Sequence, residues 1–217
     1  MPANIYKNKD GERVPGVTTV IGSNLGWSKN QLMYWANQEG LSGRNHRDTS
    51  QKAADTGTIA HKMVELELKG ETFDWPGLGF QMGATQEQIK EAQHAYEAFM
   101  EWVERVKFKL IYAEHTLVSE QYQFGGQVDI AATQGKTAII DIKTSNDIYA
   151  DHKIQLAAYK YLWNENYPDN PVEKSYILRL GKKGGFAYHS LSDTEIEDGW
   201  HVFKLLRELH DYKKKIG

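Results

Sequence analysis

Apolar positions recur along this chain of 217 residues with two periods, and the switch between them marks out its elements. Ile89, Ala92, Tyr96, Phe99, Val103 and Val106 fall three or four residues apart, which predicts one buried stripe on a long helix beginning near Thr85. The period then shortens, predicting strands over residues 110–120, 121–133 and 137–144, with turn signals at Gly125-Gly126 and Gln134-Gly135-Lys136. A helix over 151–166, a strand over 174–180, a glycine-rich turn at 181–185, a short strand and a closing helix over 193–215 follow.

The first 84 residues are less regular. Residues 14–21 read as an extended segment, and Ser28 is the expected cap of a helix carrying Leu32, Met33, Trp35 and Ala36. Residues 41–55, with Arg44, His46, Arg47 and Lys52, have the composition of an exposed connection. A helix near 56–69 carries Ile59, Met63, Val64 and Leu66 and stops at Gly70, and residues 73–83, with Pro76 and three glycines, read as a loop. The resulting order implies an α/β fold, a central mixed β-sheet flanked by helices. We expect one domain over 1–217, with an N-terminal helical part over 1–84 and the sheet core and C-terminal helix over 85–217.

The strands also carry the chemistry. Side chains alternate between the faces of a strand, so Asp141 and Lys143 point one way while Ile140 and Ile142 point the other. Asp129, between Val128 and Ile130 in the same alternation, is brought alongside by the intervening turn. Two carboxylates with nearby backbone carbonyls form a hard oxygen site suited to Mg2+ or Mn2+. Phosphodiester hydrolysis uses this combination, with a lysine to orient water or neutralise charge on the phosphate. Beside two aspartates Lys143 is expected to stay charged. The competing reading is a solvated strand face with a cross-strand salt bridge.

Composition narrows the choice. A net charge of −3 argues against bulk electrostatic coating of DNA, though not against a confined basic groove, and the absence of cysteine removes disulfides, thiolate zinc sites and iron–sulfur clusters. No secretory signal or long apolar run is evident, so no membrane association and a cytoplasmic location are expected. No ATP-binding lysine motif, internal repeat or low-complexity segment is present.

Four motifs stand in order: Gly57-Thr-Ile-Ala-His61, Gly126-Gln-Val-Asp129, Asp141-Ile-Lys143 and Gln155-Leu-Ala-Ala-Tyr159. In this the chain resembles the PD-(D/E)XK nuclease superfamily and its RecB-type exonuclease branch, and is similar to mitochondrial genome-maintenance exonucleases and single-domain phage exonucleases. The resemblance runs over about residues 14–180. The cysteines of the CRISPR adaptation nucleases are missing.

The resemblance implies a restriction-endonuclease-like core and a Mg2+- or Mn2+-dependent DNA exonuclease acting on single strands or free ends and leaving a 5′-phosphate. It implies His61 as a metal ligand beside Asp129, Asp141 and the carbonyl of Ile142. Glu65, one turn beyond His61, would hold a second metal through water or hydrogen-bond His61. Gln155 and Tyr159 would position substrate or Lys143. Glu114 and Glu120 are expected to be solvated strand acids, and Trp35 a core residue, with Trp27 and Tyr34 as candidate base-stacking aromatics. The partner is DNA, with recombination or replication proteins as further candidates, and a phage-encoded origin fits the resemblance. A structure-specific or restriction-type endonuclease, or a non-catalytic DNA-binding module, on the same core are the alternatives.

Overall fold

The structure, a computed structural model, describes residues 4–27, 29–133 and 135–216. Ser28, the expected helix cap, and Gln134 of the expected turn lie outside them. Two short strands, β1 (Tyr6–Lys7) and β2 (Arg13–Val14), pair antiparallel. The extended segment expected over 14–21 gives way to α1 (Val17–Asn24). Its β-branched residues read as strand, but Val17, Val20 and Ile21 fall on one helical face, and burying that face outweighs local propensity.

Next come α2 (Lys29–Leu41) and α3 (His46–Leu68). The exposed connection expected over 41–55 is largely helical. Asn45 caps α3 by accepting the N–H of Arg47 at 3.0 Å, and Asp48 lies in the positive first turn. Polar residues there solvate the helix without interrupting it. Arg44 makes two hydrogen bonds to Glu39, and the Thr49 hydroxyl donates to the same carboxylate, which ties α2 to α3. The loop expected over 73–83 contains α4 (Trp75–Gln81), capped by Asp74 with Pro76 in its first turn. α5 (Gln86–Val106) is the long helix expected, opened by a reciprocal Thr85–Gln88 capping box.

The strands are β3 (Lys109–Ser119), β4 (Phe124–Thr133), β5 (Thr137–Lys143), β6 (Lys174–Leu180) and β7 (Phe186–Ser190), in that spatial order. Only β5 and β6 pair parallel, and α6 (Ala150–Asn166) connects them, as a parallel pair requires. The β3–β4 turn lies at residues 120–123, with Gln123 at φ 54°, so Gly125 and Gly126 sit inside β4 instead of forming the turn. Each glycine has a packing reason there. A Cβ on Gly125 would meet the Tyr6 ring at 2.3 Å, and one on Gly126 would meet the Tyr159 ring at 2.6 Å.

Helices cover both faces of the sheet. α1, α6 and α7 (Asp193–Ile216) enclose a core that includes Phe124, Trp163 and Phe203. On the other face α3 and α5 enclose Ile59, Met63, Phe99 and Ile140. Every residue of β5 but Lys143 is buried, which makes it the strand from which the site is built. Among the described residues no helix is long and apolar enough to cross a membrane.

α7 also opens with a reciprocal cap. The Ser192 N–H donates to Glu195 at 2.9 Å and the Glu195 N–H to the Ser192 hydroxyl at 3.2 Å. Lys153 of α6 also bonds Glu195 at 2.7 Å, and these partners hold its carboxyl at about 2 against an ordinary 4.5.

Phe99 is fully buried, so Phe99→Ala should cost about 3–5 kcal/mol, seen as a lower urea midpoint at unchanged slope. The depressed Glu195 carboxyl stabilises the fold in its ionised form. Glu195→Gln is therefore destabilising near neutral pH, and its difference from wild type should close as pH falls from 4.5 toward about 2 in denaturant titrations.

Candidate active site

The β4–β5 ladder ends at Ile130 and Ile140, and the two strands part beyond it. In the gap Asp129 Oδ2 accepts the N–H of Ile142 at 2.6 Å, taking the place of a ladder carbonyl. In an extended strand the N–H and C=O of one residue face the same edge, so the Ile142 carbonyl faces this gap too. The regular alternation expected around Asp129 does not hold. Val128 packs in the core under α6 and Ile130 in the core under α3, so the backbone turns over between them. Across from Asp129, between the partners of Ile130 and Val128, stands Glu114 with φ 51°. A glutamate in the left-handed region is strained, and such strain concentrates at functional sites.

α3 supplies the histidine. A Cβ on Gly57 would lie 2.9 Å from Thr144 Oγ1, so the missing side chain lets α3 approach the end of β5. One turn later His61 Nδ1 lies 3.7 Å from Asp129 Oδ1 and 3.9 Å from Glu114 Oε1. One ligand atom each from His61, Glu114 and Asp129 fits within a 4.8 Å group. Glu114, expected to be a solvated strand acid, is thus a member of the cluster. The β3–β4 register would have paired it with Asp129, but its left-handed backbone carries no sequence signature. Glu120 lies just past β3, in the β3–β4 turn, and accepts the N–H of Lys9.

Asp141 and Lys143 do share a face, with Lys143 Nζ 2.7 Å from Asp141 Oδ2. Lys143 also donates to Gln155 Oε1 at 3.1 Å, and the Gln155 amide donates to the Tyr159 hydroxyl at 2.9 Å and to Asp141 Oδ1 at 3.4 Å. α6 therefore holds Lys143 through Gln155, and Tyr159 holds Gln155. Asp141 is not in the His61–Glu114–Asp129 group; its oxygens are turned to Lys143 and Gln155. Of the two roles expected of Glu65, a second metal held through water or a hydrogen bond to His61, the described contacts include no bond to His61. Lys62, three residues back, and Lys69, four ahead, take its two oxygens.

Burial pushes the Asp129 and Asp141 carboxyls upward; His61 opposes this at Asp129, and Lys143 at Asp141. Burial disfavours charge on Lys143, yet Asp141 and Asp129 outweigh it and raise its pKa, so the amine stays protonated. For His61 burial also opposes protonation, and Asp129 and Glu114 prevail. The cluster is short of positive charge. That shortage, with one imidazole, two carboxylates and a carbonyl edge, fits a divalent cation; carboxylate and carbonyl oxygens suit Mg2+ or Mn2+, and the imidazole leans toward a transition metal such as Mn2+. The cluster opens onto a trough of about 790 Å³ whose lining includes His61, Glu114, Ile142, Lys143, Thr144 and Lys182. Of the other basic residues, Arg44 is occupied by Glu39 and Lys153 by Glu195.

Among curated proteins no match is found. A candidate exonuclease from Eubacterium rectale is structurally similar at 13% identity and a TM-score of 0.48, over 69% of this chain. The chain spans 64% of that protein's length. An alkaline exonuclease from Laribacter hongkongensis is similar at 13% identity and a TM-score of 0.41, over 71% of this chain and 82% of its own. Neither likeness carries the assignment. The model of the PD-(D/E)XK nuclease superfamily matches residues 32–215, from α2 to the last turns of α7, and the chain belongs to that superfamily.

Proposed function

We propose that this chain, as a single nuclease domain, is a Mg2+- or Mn2+-dependent deoxyribonuclease that acts as an exonuclease on single strands or free DNA ends. The observation that carries the reading is that His61 and Glu114 of the His61–Glu114–Asp129 cluster line one trough together with a Lys143 held by Asp141 and Gln155. A solvated strand face would leave these groups in water, whereas Asp141 is only 1% exposed. A cross-strand salt bridge also gives no reason for a strained Glu114.

His61, Glu114, Asp129 and the Ile142 carbonyl would hold the cation, with Asp141 beside them. When bound, it supplies Lewis-acid charge and makes water a nucleophile at neutral pH. Lys143 stays protonated and neutralises charge that develops on the phosphate oxygens. Gln155 and Tyr159 keep that amine aimed. Lys182, at the trough wall, meets a flanking phosphate without reading sequence.

End-labelled linear DNA, single- and double-stranded, incubated beside a closed circle with Mn2+ should be shortened from its ends while the circle persists, and chelator should stop the reaction. Cutting of the circle would move the assignment to an endonuclease. No cleavage of any substrate would leave a non-catalytic DNA-binding module.

Lys143→Ala should lower kcat by about 10²–10³, the loss typical of one preorganised electrostatic donor. Gln155→Ala should cost about 10- to 100-fold in kcat. Glu114→Gln should raise the Mn2+ concentration for half-maximal rate by about tenfold or more, read by metal titration of the initial rate.

A further inference from the structure

A second cleft, of about 710 Å³, lies beside the trough. Trp27, Gln31 and Trp35, from α2 and the segment before it, line this cleft. Asn146 and Tyr149, from the segment joining β5 to α6, also line it, as does Ser50 of α3. Trp27 is 61% exposed and Tyr149 49%, so their rings are open to a ligand. Trp35, expected in the core, is only half-buried, edge-on to His46. The apolar positions of α2 thus do not go into a core.

Neighbouring positions of the same two chain segments line the cleft and the candidate active site. α3 lines the trough with Ala53, Ala54 and Gly57 and the cleft with Ser50, one turn earlier. The chain leaving Lys143 lines the trough with Thr144 and Ser145 and the cleft with the next residue, Asn146. A polymer with a phosphate at Lys143 is therefore led into the cleft. The lining chemistry indicates which part of the polymer enters. Among the described residues that line the cleft Asp151 is the one that is charged, so the cleft repels phosphates, whereas its flat rings and its amide and hydroxyl groups match the faces and edges of nucleobases. Its volume falls in the range of roughly 300–1,000 Å³ that encloses a small planar ligand.

We propose that this cleft is a stacking site for unpaired nucleobases of a DNA strand whose phosphodiester lies in the trough. The proposal rests on the nuclease reading and deepens it. Phosphates lie along the lysines, bases in the aromatic cleft, and a paired end must unstack to reach it. The occupant is a single strand, since bases held in a duplex do not present their faces.

Fluorescence anisotropy in chelator tests this, comparing a single-stranded oligonucleotide with an equally long strand of abasic sugar-phosphate units. The wild type should bind the base-bearing strand about 5- to 100-fold more tightly, the effect of stacking one base. Trp27→Ala and Tyr149→Ala should each remove most of that preference, and Trp27→Phe should restore it. Thermal unfolding checks that these exposed positions leave the fold intact. Equal affinity of the wild type for the two strands, or alanine variants that keep the full preference, would overturn the proposal. So would variants that change only the sedimentation of the protein alone, which would mark the patch as a self-association face. Cleavage with Mn2+ is read separately: a wild type that cleaves without base preference loses the cleft and keeps the nuclease, and one that prefers bases but never cleaves does the reverse.

Discussion

The site depends on the point where β4 and β5 stop pairing. A buried N–H left without an acceptor costs about 1–3 kcal/mol, so the Ile142 N–H has to find a partner where the ladder ends. The Asp129 side chain supplies it at 2.6 Å. One carboxylate oxygen is thereby pinned to β5, while the other faces His61 at 3.7 Å. The same opening bares the carbonyl edge of Ile142. A continuous ladder would bury that edge and return Asp129 to the ordinary alternation of the strand, away from α3.

Around that opening the charges do not balance. Glu114, Asp129 and Asp141 face one lysine and one imidazole, and burial raises both aspartates. Lys143 remains charged because two aspartates surround it, not because water does. Such a cluster is costly to hold in a protein interior unless a cation completes it.

Two glycines place the supporting helices. Gly57 lets α3 approach Thr144, and Gly126 leaves room under β4 for the Tyr159 ring. These close contacts give the glycines of the first two motifs a packing role. They also link distant parts of the chain: α3 brings His61, α6 brings Gln155 and Tyr159, and β5 lies between them.

Much of this was legible in the linear pattern. Period-two segments located β5 with Asp141 and Lys143 on one face, a helical stripe located α5, and motif order drew His61, Asp129 and Gln155 to one site. Those features are local, because alternation and helical spacing follow from backbone geometry alone. The helix at Val17–Asn24 was hidden, since its β-branched residues favour strand until α6 and α7 offer a surface to bury them on. The partners of Glu65 and the place of Glu114 were equally out of reach. A carboxylate's partner is set by whichever charge packing brings nearest, and only the register of β3 on β4, with the backbone at Glu114 turned to φ 51°, carries that acid to His61 and Asp129. The sequence alone determined which chemical groups the chain holds and, where the alternation runs unbroken as at Asp141 and Lys143, the face on which they lie. The tertiary structure decided which faces meet, because that depends on long-range packing and on where a ladder ends, which no local period encodes.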